Sequence, residues 1–200
     1  MRSRSTLTVV AEFKHQVSLI RSMTFPTCGD STMPIPKTLH CSRIRIEESI
    51  TIARPVAEVF AFYRDLRNLP RFLGDVMRVE PTGFRSSRWT VQGPFGMKVR
   101  WTSVVTDIVE GAHIFYETSS EIFKTKWEIY FSEGRSPEEA VVREVLIQPG
   151  GTIGKFVLAM IGKHPAAELH SNLQRLKQLI ESGRVADTSN SVPGKFDNGQ

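Results

Sequence analysis

One change of period constrains this chain more than anything else in it. Between residues 76 and 148 apolar side chains alternate with polar ones, and after Pro149-Gly150-Gly151 they recur at helical spacing. The alternating stretch divides into six runs, 76–82, 86–92, 97–109, 113–120, 124–133 and 139–148. Gly83, Gly93-Pro94-Phe95-Gly96, Glu110-Gly111 and Gly134-Arg135-Ser136-Pro137 punctuate it. A period of 2 belongs to strands with one buried face, and connections this short join antiparallel neighbours. Residues 43–52 add a seventh run, with Ile44, Ile46, Ile50 and Ile52 on one side. After it, Pro55 suits the first position of a helix, where a missing N–H costs nothing, and Val59, Phe60, Phe62 and Tyr63 supply the stripe. A second short helix is predicted over 65–73, interrupted at Pro70.

The helical stretch runs over 152–182. Ile153, Phe156, Val157, Met160 and Ile161 form a first patch, and Leu169, Leu173, Leu176 and Ile180 repeat at helical spacing until Gly183 stops the helix. Gly162 and Pro165 bend it between the two parts. A stripe that long must be covered, and the concave face of the sheet is the partner available. The predicted fold is α+β: a seven-stranded antiparallel sheet wrapped around a long C-terminal helix, with two short helices after the first strand.

Parity then selects the inner face. Trp89 and Val91 alternate with Arg88, Thr90 and Gln92. Val99 and Trp101 alternate with Lys98 and Arg100, and Trp127, Ile129 and Phe131 with Lys126, Glu128 and Tyr130. All three tryptophans therefore share a face, and Phe156 and Met160 approach them from the helix. These residues and Tyr116 either fill a core or line a hollow for an apolar ligand.

The order of elements resembles the START-like (SRPBCC, helix-grip) superfamily. The stretch from Ser49 to Phe72 (Ser-Ile-Thr-Ile-Ala-Arg-Pro-Val-Ala-Glu-Val-Phe-Ala-Phe-Tyr-Arg-Asp-Leu-Arg-Asn-Leu-Pro-Arg-Phe) resembles the opening of its polyketide cyclase/dehydrase and lipid-transport family. So do Arg88-Trp89, Gly93-Pro94, Trp101, the Pro149-Gly150-Gly151 turn and the run from Leu173 to Gly183. The likeness covers about residues 46–183, and its motifs are packing and turn features that specify fold better than chemistry. One departure is visible: Gln148 stands where relatives often carry a second proline. The resemblance implies a cavity between sheet and helix. Its lining would be Trp89, Val91, Val99, Trp101, Tyr116, Trp127, Ile129, Phe131, Phe156 and Met160, with Tyr116, Thr118 or Arg143 as polar groups.

Two functions fit that cavity. One is binding or transport of a hydrophobic small molecule such as a lipid, isoprenoid or polyketide-like compound. The other is a polyketide cyclase or dehydratase reaction, for which Tyr116, Arg143 and Glu144 are the candidate acid/base groups. In the last strand Arg143 and Glu144 are adjacent, so one of them faces inward, and a place near the open rim would let that charge reach water. No other chemistry is called for. Gly150-Gly151-Thr152-Ile153-Gly154-Lys155 lacks the glycine spacing of a phosphate loop, and Phe156 stands where such a loop has Ser or Thr. His164, Glu168 and His170 are not spaced as metal ligands, and His113 reads as an exposed strand start. No cofactor is expected.

Charge excludes a further class. Residues 1–45 hold seven Lys/Arg against Glu12 and Asp30, so the net charge of +5 lies in this N-terminal stretch and the other 155 residues balance at 19 of each sign. A phosphate-tracking surface needs the reverse, so nucleic acid is not an expected partner. The longest apolar run, Phe156 to Ile161, is far short of a membrane span, which leaves transient contact as the membrane role open to it. Both cysteines, Cys28 and Cys41, lie in the leader, and a cytoplasmic location is the expectation. Residues 1–42, rich in Ser and Thr, read as a disordered extension with a weak likeness to an organellar transit peptide. Residues 184–200 lack periodicity and are expected to be a flexible tail.

Overall fold

Alternation and turn signals locate every strand to within a residue or two. The computed structural model describes residues 43–93, 96, 98–119, 124–149 and 164–197. Strand β1 is Arg43–Ile52, helix α1 Val56–Arg64, and a single 3-10 turn covers Leu69–Arg71. Strands β2 (Val76–Gly83), β3 (Ser86–Gln92), β4 (Lys98–Val109), β5 (His113–Ser119), β6 (Lys124–Glu133) and β7 (Ala140–Pro149) follow, then helix α2, Pro165–Ser182.

The strands form one seven-stranded antiparallel sheet in the order β1-β7-β6-β5-β4-β3-β2. Consecutive strands pair as hairpins, and β1 joins the far edge beside β7, where Arg43 to Ile52 run against Pro149 to Ala140 without a break in register. The departure at Gln148 therefore leaves the last strand regular. A bulge between Val105 and Asp107 lets the inward face of β4 run from Val105 to Ile108.

Helix α1 lies over β6 and β7. Its Phe60 and Tyr63 rings meet Phe131 edge-on at 5.2 and 5.7 Å, and with Val59, Phe72, Ile114, Ile129 and Val142 they make a closed core. Helix α2 packs along β1. Leu169, Leu173 and Leu176 are buried as the stripe requires, and Gly183 (φ 74°) ends the helix by donating its N–H to the Leu179 carbonyl. Pro165 stands in the first turn of α2 and His164 is the N-cap. The predicted first half of that helix, 152–163, lies outside the described residues, as does the leader 1–42.

The expectation of a flexible tail does not hold for residues 184–197. Val185, Val192 and Phe196 are buried, and the Val192 N–H donates to the Gly74 carbonyl. Arg175 on α2, itself fully buried, is the anchor. Its Nε donates to the Phe72 carbonyl (2.7 Å) and its Nη1 to the Ser189 carbonyl (2.6 Å), while the guanidinium lies over the Phe196 ring. Lys195 donates to the carbonyls of Leu73 and Val76. The segment has no period because it is neither helix nor strand, and its order comes from side chains that bond backbone carbonyls.

Candidate functional site

Burial changes along the concave face. At the α1 end, Ile114, Ile129, Phe131 and Val142 are buried. Toward the other end burial is uneven: Trp89, Val91, Tyr116 and Gln148 are buried, whereas Val99 and Trp101 on β4, Thr118 on β5, Thr125 and Trp127 on β6 and Leu146 on β7 are only half-buried. Here the β3–β4, β5–β6 and β7–α2 connections leave the sheet. The face thus passes from closed core to a partly open end, where Trp101 and Trp127 are half-buried beside the buried Trp89 and Tyr116.

Rings dominate that surface because of register. Trp89 is directly opposite Trp101, and Tyr116 directly opposite Trp127. Trp89 meets Trp127 edge-on at 6.0 Å and Tyr116 at 6.3 Å, and Tyr116 meets Trp127 at 5.7 Å. Cross-strand aromatic pairs hold one another in place, so the surface is preformed.

Behind Trp127 lies a carboxyl group that is fully buried. Glu144 accepts a hydrogen bond from the Tyr63 hydroxyl at Oε1 (2.8 Å) and one from Trp127 Nε1 at Oε2 (3.0 Å). Burial pushes its pKa up to about 7, against the opposing pull of those two bonds. Burial also raises Tyr63, with the Glu144 charge adding to the effect, so its proton stays in place. At neutral pH the cluster therefore holds a carboxyl poised between its two forms.

A polar row crosses the sheet beside the rings. Ser87 pairs with Ser103, Ser103 with Thr118, and Thr118 with Thr125. The Trp89 indole N–H donates to Ser87 Oγ (2.9 Å), Ser87 to the Ser103 carbonyl (3.4 Å), and the Ser103 and Thr118 hydroxyls share a bond of 3.2 Å. Because Lys126 pairs with Ile147, Thr125 and Gln148 come next along the two strands on the concave side.

The structure brings together most of the residues singled out in the sequence. Trp89, Val91, Val99, Trp101, Tyr116 and Trp127 share the concave face around the half-open end, while Ile129 and Phe131 sit in the core beneath α1. Phe156 and Met160 lie outside the described residues. Arg143 does not belong to the lining. It points to the convex face, where it bonds Glu47 (3.1 Å) and stacks over Tyr130 (4.2 Å). The inward residue is Glu144, and it is enclosed, not at a rim. The rim expectation rested on the cost of an unpartnered charge, which Tyr63, Trp127 and a neutral form remove. His113 is half-buried, with Nε2 2.8 Å from Asp107 Oδ2 and its ring stacked on Phe115. Among the described residues no group of three or more His, Cys, Asp or Glu could hold a metal ion. Tyr63, Ser87, Ser103, Thr125 and Gln148 escaped sequence reasoning, although the parity that selects Trp89 and Trp101 also selects Ser87 and Ser103.

Comparison with known proteins agrees with this geometry. The family described as polyketide cyclase / dehydrase and lipid transport matches residues 43–181. The chain belongs to that family. No curated protein matches it. Among solved structures, a protein from Deinococcus radiodurans is 24% identical, with a TM-score of 0.55 over 70% of this chain and 99% of its own. A START superfamily protein from Mycobacterium smegmatis is 15% identical, with a TM-score of 0.54 over 68% and 98%. A di-domain ARO/CYC protein of the steffimycin biosynthetic pathway is 16% identical, with a TM-score of 0.55 over 70% of this chain and 52% of its own. At such identities the likeness is one of fold: the helix-grip arrangement of START relatives, here in a family member.

Proposed function

We propose that the protein binds a hydrophobic small molecule on the concave face of its sheet, as a carrier or binding module. The observation that carries this reading is the burial gradient. A face that is solid core under α1 becomes a half-buried surface of Val99, Trp101, Trp127 and Leu146 at the other end of the same strands. Apolar side chains left half-covered on an inner face suit an apolar guest, and the few oriented hydroxyls beside them suit its orientation. The family's description, which includes lipid transport, supports the same reading. Purified protein should release a co-purifying apolar compound on organic extraction, with the matching mass increment under native mass spectrometry. Protein that carries nothing and takes up no lipid, isoprenoid or aromatic polyketide offered to it would count against the reading.

A cyclase or dehydratase reaction is the second reading, favoured by the Glu144–Tyr63 pair and by the ARO/CYC name of one similar structure. Proton transfer needs the acid within hydrogen-bond reach of the substrate. Glu144 has both oxygens occupied and no exposed surface, so it serves the carrier reading better, as an internal brace for Trp127. Turnover of a poly-β-ketone substrate that falls at least a hundredfold in Glu144→Gln would reverse that preference.

A further inference from the structure

Gln148 is the odd residue of the concave face. It is 5% exposed, and its amide Nε2 is buried with no hydrogen-bond partner. An orphaned buried donor is costly, and a leucine of similar size would avoid the cost. Gln148 lies at the half-open end, one step beyond Leu146, beside Ile44 of β1 and next in line after Thr125 and Thr118. Unlike Glu144, it has no bracing bond that would explain its presence as structure.

We infer that Gln148, with the hydroxyls of Thr125 and Thr118, forms an anchoring subsite for a neutral carbonyl oxygen on an otherwise apolar ligand. The inference rests on the binding role proposed above and narrows its ligand class. The amide N–H supplies the donor and the threonine hydroxyls follow it in line across β6 and β5, that of Thr118 already bonded to Ser103, while the guest's apolar body lies across Trp101 and Trp127. Charge sets the neutrality. Strand alternation gives concave parity to Glu48, Glu133 and Glu144, and these are the charged side chains on that face of the described strands. Lys98, Arg100, Lys124 and Lys126 have convex parity. Among the described strands no cation has concave parity, so a carboxylate head would find no counter-charge there, whereas a ketone, ester or quinone oxygen needs only the donor.

The test compares two probes of nearly equal shape, 2-acetylnaphthalene and 2-ethylnaphthalene, each displacing the fluorophore N-phenyl-1-naphthylamine from the full chain. Gln148→Leu should weaken the ketone about fivefold or more, the loss of one hydrogen bond, and leave the ethyl compound within twofold. Ligand-free Gln148→Leu should also melt at a higher temperature, because the orphaned donor is gone. Equal shifts for both probes, or none for either, would overturn the subsite while leaving apolar binding intact. Wild-type protein that binds neither probe nor the fluorophore would overturn the binding role itself. Tighter binding of 2-naphthoate than of the ketone would contradict the neutral-carbonyl assignment. If Gln148→Leu does not fold, Thr125→Val is read by the same split between probes.

Discussion

Glu144 ties one residue's chemistry to the whole protein's pH response. Its ordinary pKa of 4.5 rises to about 7 on folding, so between these values the native state holds a proton that the unfolded chain releases. Stability from this group is fully present below about pH 4.5 and is lost as pH rises through about 7, by roughly 3 kcal/mol in total. Glu144→Gln mimics the neutral form. Its amide can donate to the Tyr63 oxygen and its carbonyl can accept from Trp127. The variant is expected to unfold within about 1 kcal/mol of wild type at pH 5 and to be the more stable of the two at pH 8. Urea denaturation at the two pH values checks this, and a wild type equally stable at both would contradict it. Trp127 offers a second readout, since its indole N–H bonds the titrating carboxyl. Its emission should shift with a midpoint near pH 7 in wild type and not in Glu144→Gln.

Among the elements, α2 shows how far the sequence can be read. Its leucine stripe was legible because packing against a sheet imposes the helical period directly. The opposite flank was not, because Asn172 and Arg175 look like solvent-facing residues. They are buried because the 184–197 segment lies over them and the Arg175 guanidinium finds carbonyls to bond. The same limit applies to β7. Alternation put one of Arg143 and Glu144 inside, but choosing between them needed Tyr63, which arrives from α1 some 80 residues earlier. Two outcomes are expected of the segment. Deleting residues 184–200 should cost about 3 kcal/mol or more, since it removes the Ser189 carbonyl and the Phe196 ring from Arg175 and uncovers the apolar surface under Val192 and Phe196. Gly74→Ala should cost roughly 1–3 kcal/mol, because a methyl group there would stand 2.7 Å from both Arg175 Nη2 and the Asn190 carbonyl. Denaturant midpoints measure both. A truncated chain as stable as the full one would mean that the segment merely rests on the domain.

At the scale of the whole molecule, one sheet serves two purposes along the same strands. The α1 end is packed like any core, which fixes the curvature and spacing of all seven strands, and the other end is left with rings and hydroxyls half-covered. This end takes the apolar guest in the proposed function, and tryptophan emission reports on it because the half-buried Trp101 and Trp127 lie there, with the buried Trp89 beside them. The most direct measurement is a titration of the wild type and of Val99→Trp with a neutral apolar ligand, followed by intrinsic fluorescence. Val99 is half-buried between the rings and the open end, so an indole in its place fills the space a guest would use. Saturable change in the wild type, with affinity at least tenfold weaker in Val99→Trp, is the expected result. Unchanged wild-type emission despite binding, together with normal affinity in Val99→Trp, would place the ligand elsewhere and contradict the claim.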